Sequence, residues 1–275
     1  MRKYIVVPIL VLLGGAGAFL MRLAQVRTGF EASTGLPVAG DPWQYLLPAF
    51  LLVLAALLAL AVLRVPEHSQ QQSAAFSAAF AATDAAMLTL PVMGAFLLLL
   101  SGLLDIAAGL GLRQGAGALS PRGSLLMGVL TLCTGGALFL AAAACRRPGS
   151  HQAEPARSSR LDSSLLLVPP VCLVVRLVLV YRLDSINPTL SAYYVELLAL
   201  SFLTLAFYRL SSSAYGAGRD RRYLLYAGIA IVLCVVTLAD GHPLSSALLY
   251  AGGAVTLLGF LLLRLEVLAK PWNNM

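Results

Sequence analysis

From Tyr4 to Arg264 the chain alternates long apolar runs with short polar breaks. An α-helix rises 1.5 Å per residue, so about 20 apolar residues cross the ~30 Å hydrocarbon core of a bilayer. Eight runs are near that length: residues 4–22, 43–63, 87–111, 123–145, 164–182, 189–209, 222–240 and 244–264. The pattern predicts an all-α fold, a polytopic integral membrane bundle of about eight helices forming a single domain over residues 1–275. The first run follows a basic start at Arg2 and Lys3, and Ala16, Gly17 and Ala18 have the small-residue character of a signal-peptide cleavage site. The apolar run continues through Phe19, Leu20 and Met21, which favours an uncleaved first span.

Two polar breaks are longer than turns. Residues 146–163 are rich in Pro, Ser and charge with no periodic pattern, and read as a mobile cytoplasmic linker. Residues 73–86 are Ala-rich and set Phe76 and Phe80 four apart, on one helical face. They read either as an interfacial helix or as a cytoplasmic extension of the third span.

Composition agrees with the pattern. Hydrophobic residues make up 59% and charged residues 11%, against about 25% charged in soluble domains. The surrounding partner is therefore a lipid bilayer. The net charge of +7 does not indicate nucleic acid, because the basic residues flank apolar runs instead of forming one polar face. Placing the N-terminus inside puts Arg2, Lys3, Arg64, Arg146, Arg147, Arg157, Arg160, Arg209, Arg219, Arg221, Arg222, Arg264 and Lys270 on the inner side. Only Arg22, Arg27, Arg113, Arg122 and Arg182 fall outside. That asymmetry predicts both termini in the cytoplasm, an even number of crossings and a place in the cell (inner) membrane.

The hairpins share features. Asp41-Pro42, Ser120-Pro121, Asn187-Pro188 and His242-Pro243 each put a polar residue and a proline before an even-numbered span. A polar N-cap followed by proline at the first helical position suits a helix start. In the odd spans Pro8, Pro91 and Pro170 are each followed fourteen residues later by a charge: Arg22, Asp105 and Asp184. Asp240 takes that place in the seventh. The expected architecture is four antiparallel hairpins, whether by duplication or by membrane topology alone.

The fifth run carries the costliest side chain. Arg176 lies about 9 Å below the outer interface at 1.5 Å per residue, and Glu196 and Asp105 lie near 12 Å. Charges at this depth each cost about 2.5–3.5 kcal/mol on the insertion scale and mark candidate functional sites. Arg176, Glu196 and Asp105 therefore form a candidate polar intramembrane site in the outer half of the bundle. Sequential helices pack as neighbours, so Arg176 is expected to pair with Glu196. Pro169 and Pro170 are expected to kink the same span. A purely structural ion pair or outward snorkelling of Arg176 is the competing reading. Tyr193, Tyr194, Trp43 and Trp272 read as aromatic-belt residues.

Several chemistries are set aside. His68, His151 and His242 all fall in loops, which argues against bis-His haem ligation inside the bundle. Cys133, Cys145, Cys172 and Cys234 form no close pair, so neither a zinc site nor a disulfide framework is indicated. No metalloprotease, nucleotide-loop or diphosphate-binding motif occurs. The Gly-rich runs at Gly14-Gly15-Ala16-Gly17, Gly135-Gly136 and Gly252-Gly253 lie within spans and read as close helix contacts. No cofactor and no metal is expected. The leading function is non-catalytic movement or sensing of a small solute or ion. The alternative is a scaffold or partner subunit that binds another membrane protein and has no substrate. An intramembrane transferase or hydrolase is the remote third.

Overall fold

A computed structural model describes residues 2–31, 38, 40–65, 76–80, 82, 85–112, 121–145, 164–184, 190–215 and 218–269. Nine α-helices are described: α1 (Arg2–Thr28), α2 (Trp43–Leu63), the short α3 (Phe76–Ala79), α4 (Thr89–Gly109), α5 (Pro121–Ala144), α6 (Val168–Asp184), α7 (Leu190–Ala214), α8 (Asp220–Thr237) and α9 (Leu244–Ala269). Short 3-10 turns precede α4 (Ala85–Leu88) and follow α8 (Leu238–Asp240). Seven helices are long and apolar enough to cross a membrane: α1, α2, α4, α5, α7, α8 and α9. The eighth expected span, α6, is 17 residues long. Its shortness has a local cause. The helix begins at Val168, so Pro169 and Pro170 occupy its first turn, where a missing N–H leaves no bond unmade. Ser164 and Leu165 are helical as well, and the turn at Leu166 and Leu167, with Leu167 N–H donating to the Ser164 carbonyl at 3.2 Å, interrupts the helix just before the proline pair.

Six helices close a ring. α4 packs on α5 and α9, α5 on α6, α6 on α7, α7 on α8, and α8 on α9. α1 and α2 pack on each other and against α8, outside that ring. α8 is consequently the most enclosed, its Ala227, Ala230 and Val236 fully buried. Leu13, Leu52 and Val53 on α1 and α2 point outward, with Leu52 72% exposed. Bare apolar surface of this extent suits lipid and not water.

α4 is the tightest element because glycines admit its neighbours' backbones. A Cβ on Gly128 of α5 would sit 2.8 Å from the Gly102 carbonyl oxygen of α4. On the opposite face, a Cβ on Gly252 of α9 would lie 2.9 Å from the Gly94 carbonyl oxygen. Small residues replace hydrophobic sorting as the organising force between membrane helices. The three glycine runs contribute unequally to such contacts. A Cβ on Gly135 would lie 2.9 Å from the Leu99 backbone nitrogen, whereas one on its neighbour Gly136 would meet nothing within 4 Å.

The Ala-rich stretch corrects both of its expected readings. Phe76 and Phe80 are buried, not interfacial, and α3 is too short to extend α4. Their rings lie 6.0 and 5.8 Å from that of Phe260, and Phe80 meets Tyr223 edge-on at 5.8 Å. The segment inserts into one end of the bundle, opposite the end that carries His242. The two rings, 4.8 Å apart and tilted by 34°, pack against each other and edge-on against Phe260. The 146–163 linker and the Asn187-Pro188 turn lie outside the described residues.

Candidate functional site

The polar layer assembles from the later turns of α1 and α4, the middle of α5 and α6, the early turns of α7 and α9 and the 3-10 turn after α8. Arg22 of α1 is 1% exposed. Its Nε donates to Asp240 Oδ1 at 2.5 Å and its Nη1 to Gln25 Oε1 at 2.8 Å. Its guanidinium also stands 5.6 Å over the Tyr194 ring. Arg176 of α6 donates from Nη1 to Thr131 Oγ1 at 2.8 Å and meets Asp105 Oδ2 at 3.4 Å. The Thr131 hydroxyl is itself oriented, since it donates to the Met127 carbonyl at 2.8 Å. Glu196 of α7 accepts from the Tyr250 hydroxyl of α9 at 2.7 Å. The Ser101 hydroxyl donates to the Ser245 carbonyl at 2.6 Å and ties α4 to the first turn of α9.

His242 joins the carboxylates. Gly241, at φ 68°, lets the chain turn sharply out of the 3-10 turn and aim the imidazole inward. Its Nε2 stands 3.8 Å from Glu196 Oε2 and 3.9 Å from Asp240 Oδ2. Four buried polar atoms in the layer have no hydrogen-bond partner among the described residues: Arg176 Nε, Tyr194 OH, Asp240 Oδ2 and His242 Nε2. Two guanidinium groups face three carboxylates, leaving one uncompensated negative charge while His242 is neutral.

All three expected residues reach this layer, but the pairing differs. Arg176 pairs with Asp105, not with Glu196. α5 and α4 present Thr131 and Asp105 to the guanidinium, while Glu196, although on the direct neighbour α7, turns toward α9. Sequence reasoning missed Arg22, Tyr194, Asp240, His242 and Tyr250. A signal for two of them existed. Of the four charges that close the odd spans, Arg22, Asp105 and Asp240 converge here. His242 was hidden by its loop position, and Tyr194 by its resemblance to a belt aromatic. The expected N-caps also differ. At α2 Pro42 is the cap residue and Asp41 makes no side-chain cap bond. At α9 His242 spends its side chain on the layer.

The opposite end holds a second buried cluster. Arg264 of α9 donates from Nε to Asp220 Oδ1 at 2.8 Å and from Nη1 to the Ala79 carbonyl at 2.7 Å. Its guanidinium lies 5.8 Å over the Phe80 ring. Arg221 Nε donates to the Val65 carbonyl at 2.9 Å. Arg209 stands between Tyr208 and Tyr226, 5.6 and 5.7 Å from their ring centres. These arginines, which the sequence offers as topology determinants, also seal that end of the helices.

Among the described residues no group of three or more His, Cys, Asp and Glu side chains is arranged to hold a metal ion. No protein-family model, curated protein or solved structure matches the chain.

Proposed function

We propose that the chain crosses a cell (inner) membrane eight times, as four antiparallel hairpins with both termini cytoplasmic, and moves or senses a small solute or ion through the His242-end layer. In this reading α6 is the eighth crossing: its 17 residues rise about 26 Å, and the turn from Ser164 lengthens it. The observation that carries the reading is the layer itself. Five ionisable side chains of opposite sign and an imidazole are withdrawn from solvent among apolar helices, with polar atoms left unbonded. Desolvating so many charges is expensive, and intramembrane ionisable groups usually serve a pathway. A purely structural role would be met by apolar packing at less cost.

The test uses purified chain in proteoliposomes, with currents recorded on a solid-supported membrane against a panel of protons, alkali cations, ammonium and amino acids. Wild type gives a concentration-dependent current for at least one of them. Glu196→Gln abolishes it while retaining membrane insertion and a monodisperse gel-filtration profile. A variant that fails to fold, or a current unchanged by the substitution, overturns the site. Silence of wild type toward the whole panel, with a stoichiometric protein co-purifying, favours the partner-subunit reading instead.

A further inference from the structure

We propose that His242, held between Glu196 and Asp240, is a proton-binding site whose occupancy sets the charge of the buried layer. The inference deepens the solute-site reading and rests on it for any coupling to movement, but the protonation itself is measurable alone. The geometry is specific. One ring nitrogen faces two carboxylate oxygens, 3.8 and 3.9 Å away, that belong to different helical elements. Asp240 is held by Arg22 through Oδ1, and Glu196 by Tyr250 through Oε1. Each carboxylate therefore turns its other oxygen toward the imidazole. Asp240 Oδ2 is buried without a hydrogen bond, on a side chain only 7% exposed.

His242 is faced by Glu196 of α7, Asp240 of the 3-10 turn and Tyr250 of α9, whose ring is 5.9 Å from the imidazole. Around Asp240 stand Arg22, its partner Gln25 on α1 and the Tyr194 ring of α7. Behind them Arg176 is matched to Asp105. With both arginines already matched to a carboxylate, the uncompensated charge resides on Glu196, whose partners among the described residues are the Tyr250 hydroxyl and the imidazole. A proton from hydronium forms one N–H bond on the ring and leaves water behind. Both ring nitrogens then carry hydrogen, so Nε2 donates toward the carboxylates and the layer becomes neutral. The His242 side chain is 19% exposed, so the proton has a route from that end of the bundle. Proton occupancy draws α7, the 3-10 turn and the first turn of α9 together. Proton loss leaves like charges facing each other and loosens that end. Histidine is the side chain suited to such a change near neutral pH.

The chain holds three histidines, so His68→Gln and His151→Gln leave His242 as the sole imidazole. Nitrogen-15 histidine NMR of this chain in lipid nanodiscs, titrated between about pH 5 and 8, reports the imidazolium-to-imidazole ratio directly. We expect an imidazolium signal from His242 in the wild type. At a fixed pH, Glu196→Gln lowers the ratio about tenfold, because an opposite charge at this distance favours the cation. A ratio changed less than twofold by Glu196→Gln overturns the proposal. So does a wild-type ring that stays neutral throughout, a result that needs no variant. Proteoliposome currents are recorded in parallel. A responsive His242 without current sinks only the transport reading, and current with an unresponsive His242 sinks only the proton site.

Discussion

Arg22 shows how a residue's meaning depends on its surroundings. By position it is one of five basic residues on the expected outer side; by geometry it is a buried cation held by Asp240, Gln25 and Tyr194. Removing one member of a buried pair strands the other, at about 3–5 kcal/mol, whereas replacing both with apolar residues is often neutral. Arg22→Met and Asp240→Leu should therefore each lose roughly that much stability, and the double variant should recover most of it. Thermal unfolding in detergent, analysed as a double-mutant cycle, measures the difference. Additive losses would mean that the two side chains are not paired. Thr131→Val should cost only about 1 kcal/mol, the net worth of one hydrogen bond to Arg176.

At the level of the element, helix identity was legible and helix boundary was not. Long apolar runs specify crossing helices because the bilayer leaves no other way to satisfy backbone polar groups. α6 shows the limit: the apolar run starts at Leu165, but the helix is interrupted at Leu166 and Leu167 and resumes at Val168, where two prolines fit a first turn. The α4–α5 contact shows another. Glycine pairs in sequence are easy to see, yet Gly102 and Gly128, isolated in sequence, make the closest backbone approach between these helices. Gly128→Ala places a methyl 2.8 Å from the Gly102 oxygen and should cost about 1–3 kcal/mol. Gly136→Ala meets nothing within 4 Å and should be neutral or gain up to about 1 kcal/mol of helix propensity. Equilibrium unfolding of the two variants in one detergent compares them, and equal effects would argue against backbone packing at Gly128.

For the whole molecule, the two ends of the bundle are closed by different means. The His242 end uses a branched set of charges with an uncompensated anion. The other uses Arg264, Asp220 and an aromatic stack around Phe80. In the proposed orientation the second end faces the cytoplasm. A fluorescent reporter fused after Met275 should fold and fluoresce inside the cell, and an alkaline phosphatase fused there should be silent. Active phosphatase would put that end outside and exchange the two ends.

Hydropathy along the chain was sufficient to determine the solvent, the helical class and nearly every helix, since these follow from what a bilayer does to an unpaired N–H or C=O. It also set Arg176, Asp105 and Glu196 in one expected layer, because position is counted along one helix at a fixed rise. Which charge meets which was decided only by tertiary structure. Arg176 meets Asp105 across α5 although Glu196 sits on its direct neighbour α7, and His242 enters because Gly241 turns the chain back over the helix ends. Partner choice depends on the rotation and order of separate helices, which packing sets and no period along a single strand of sequence encodes.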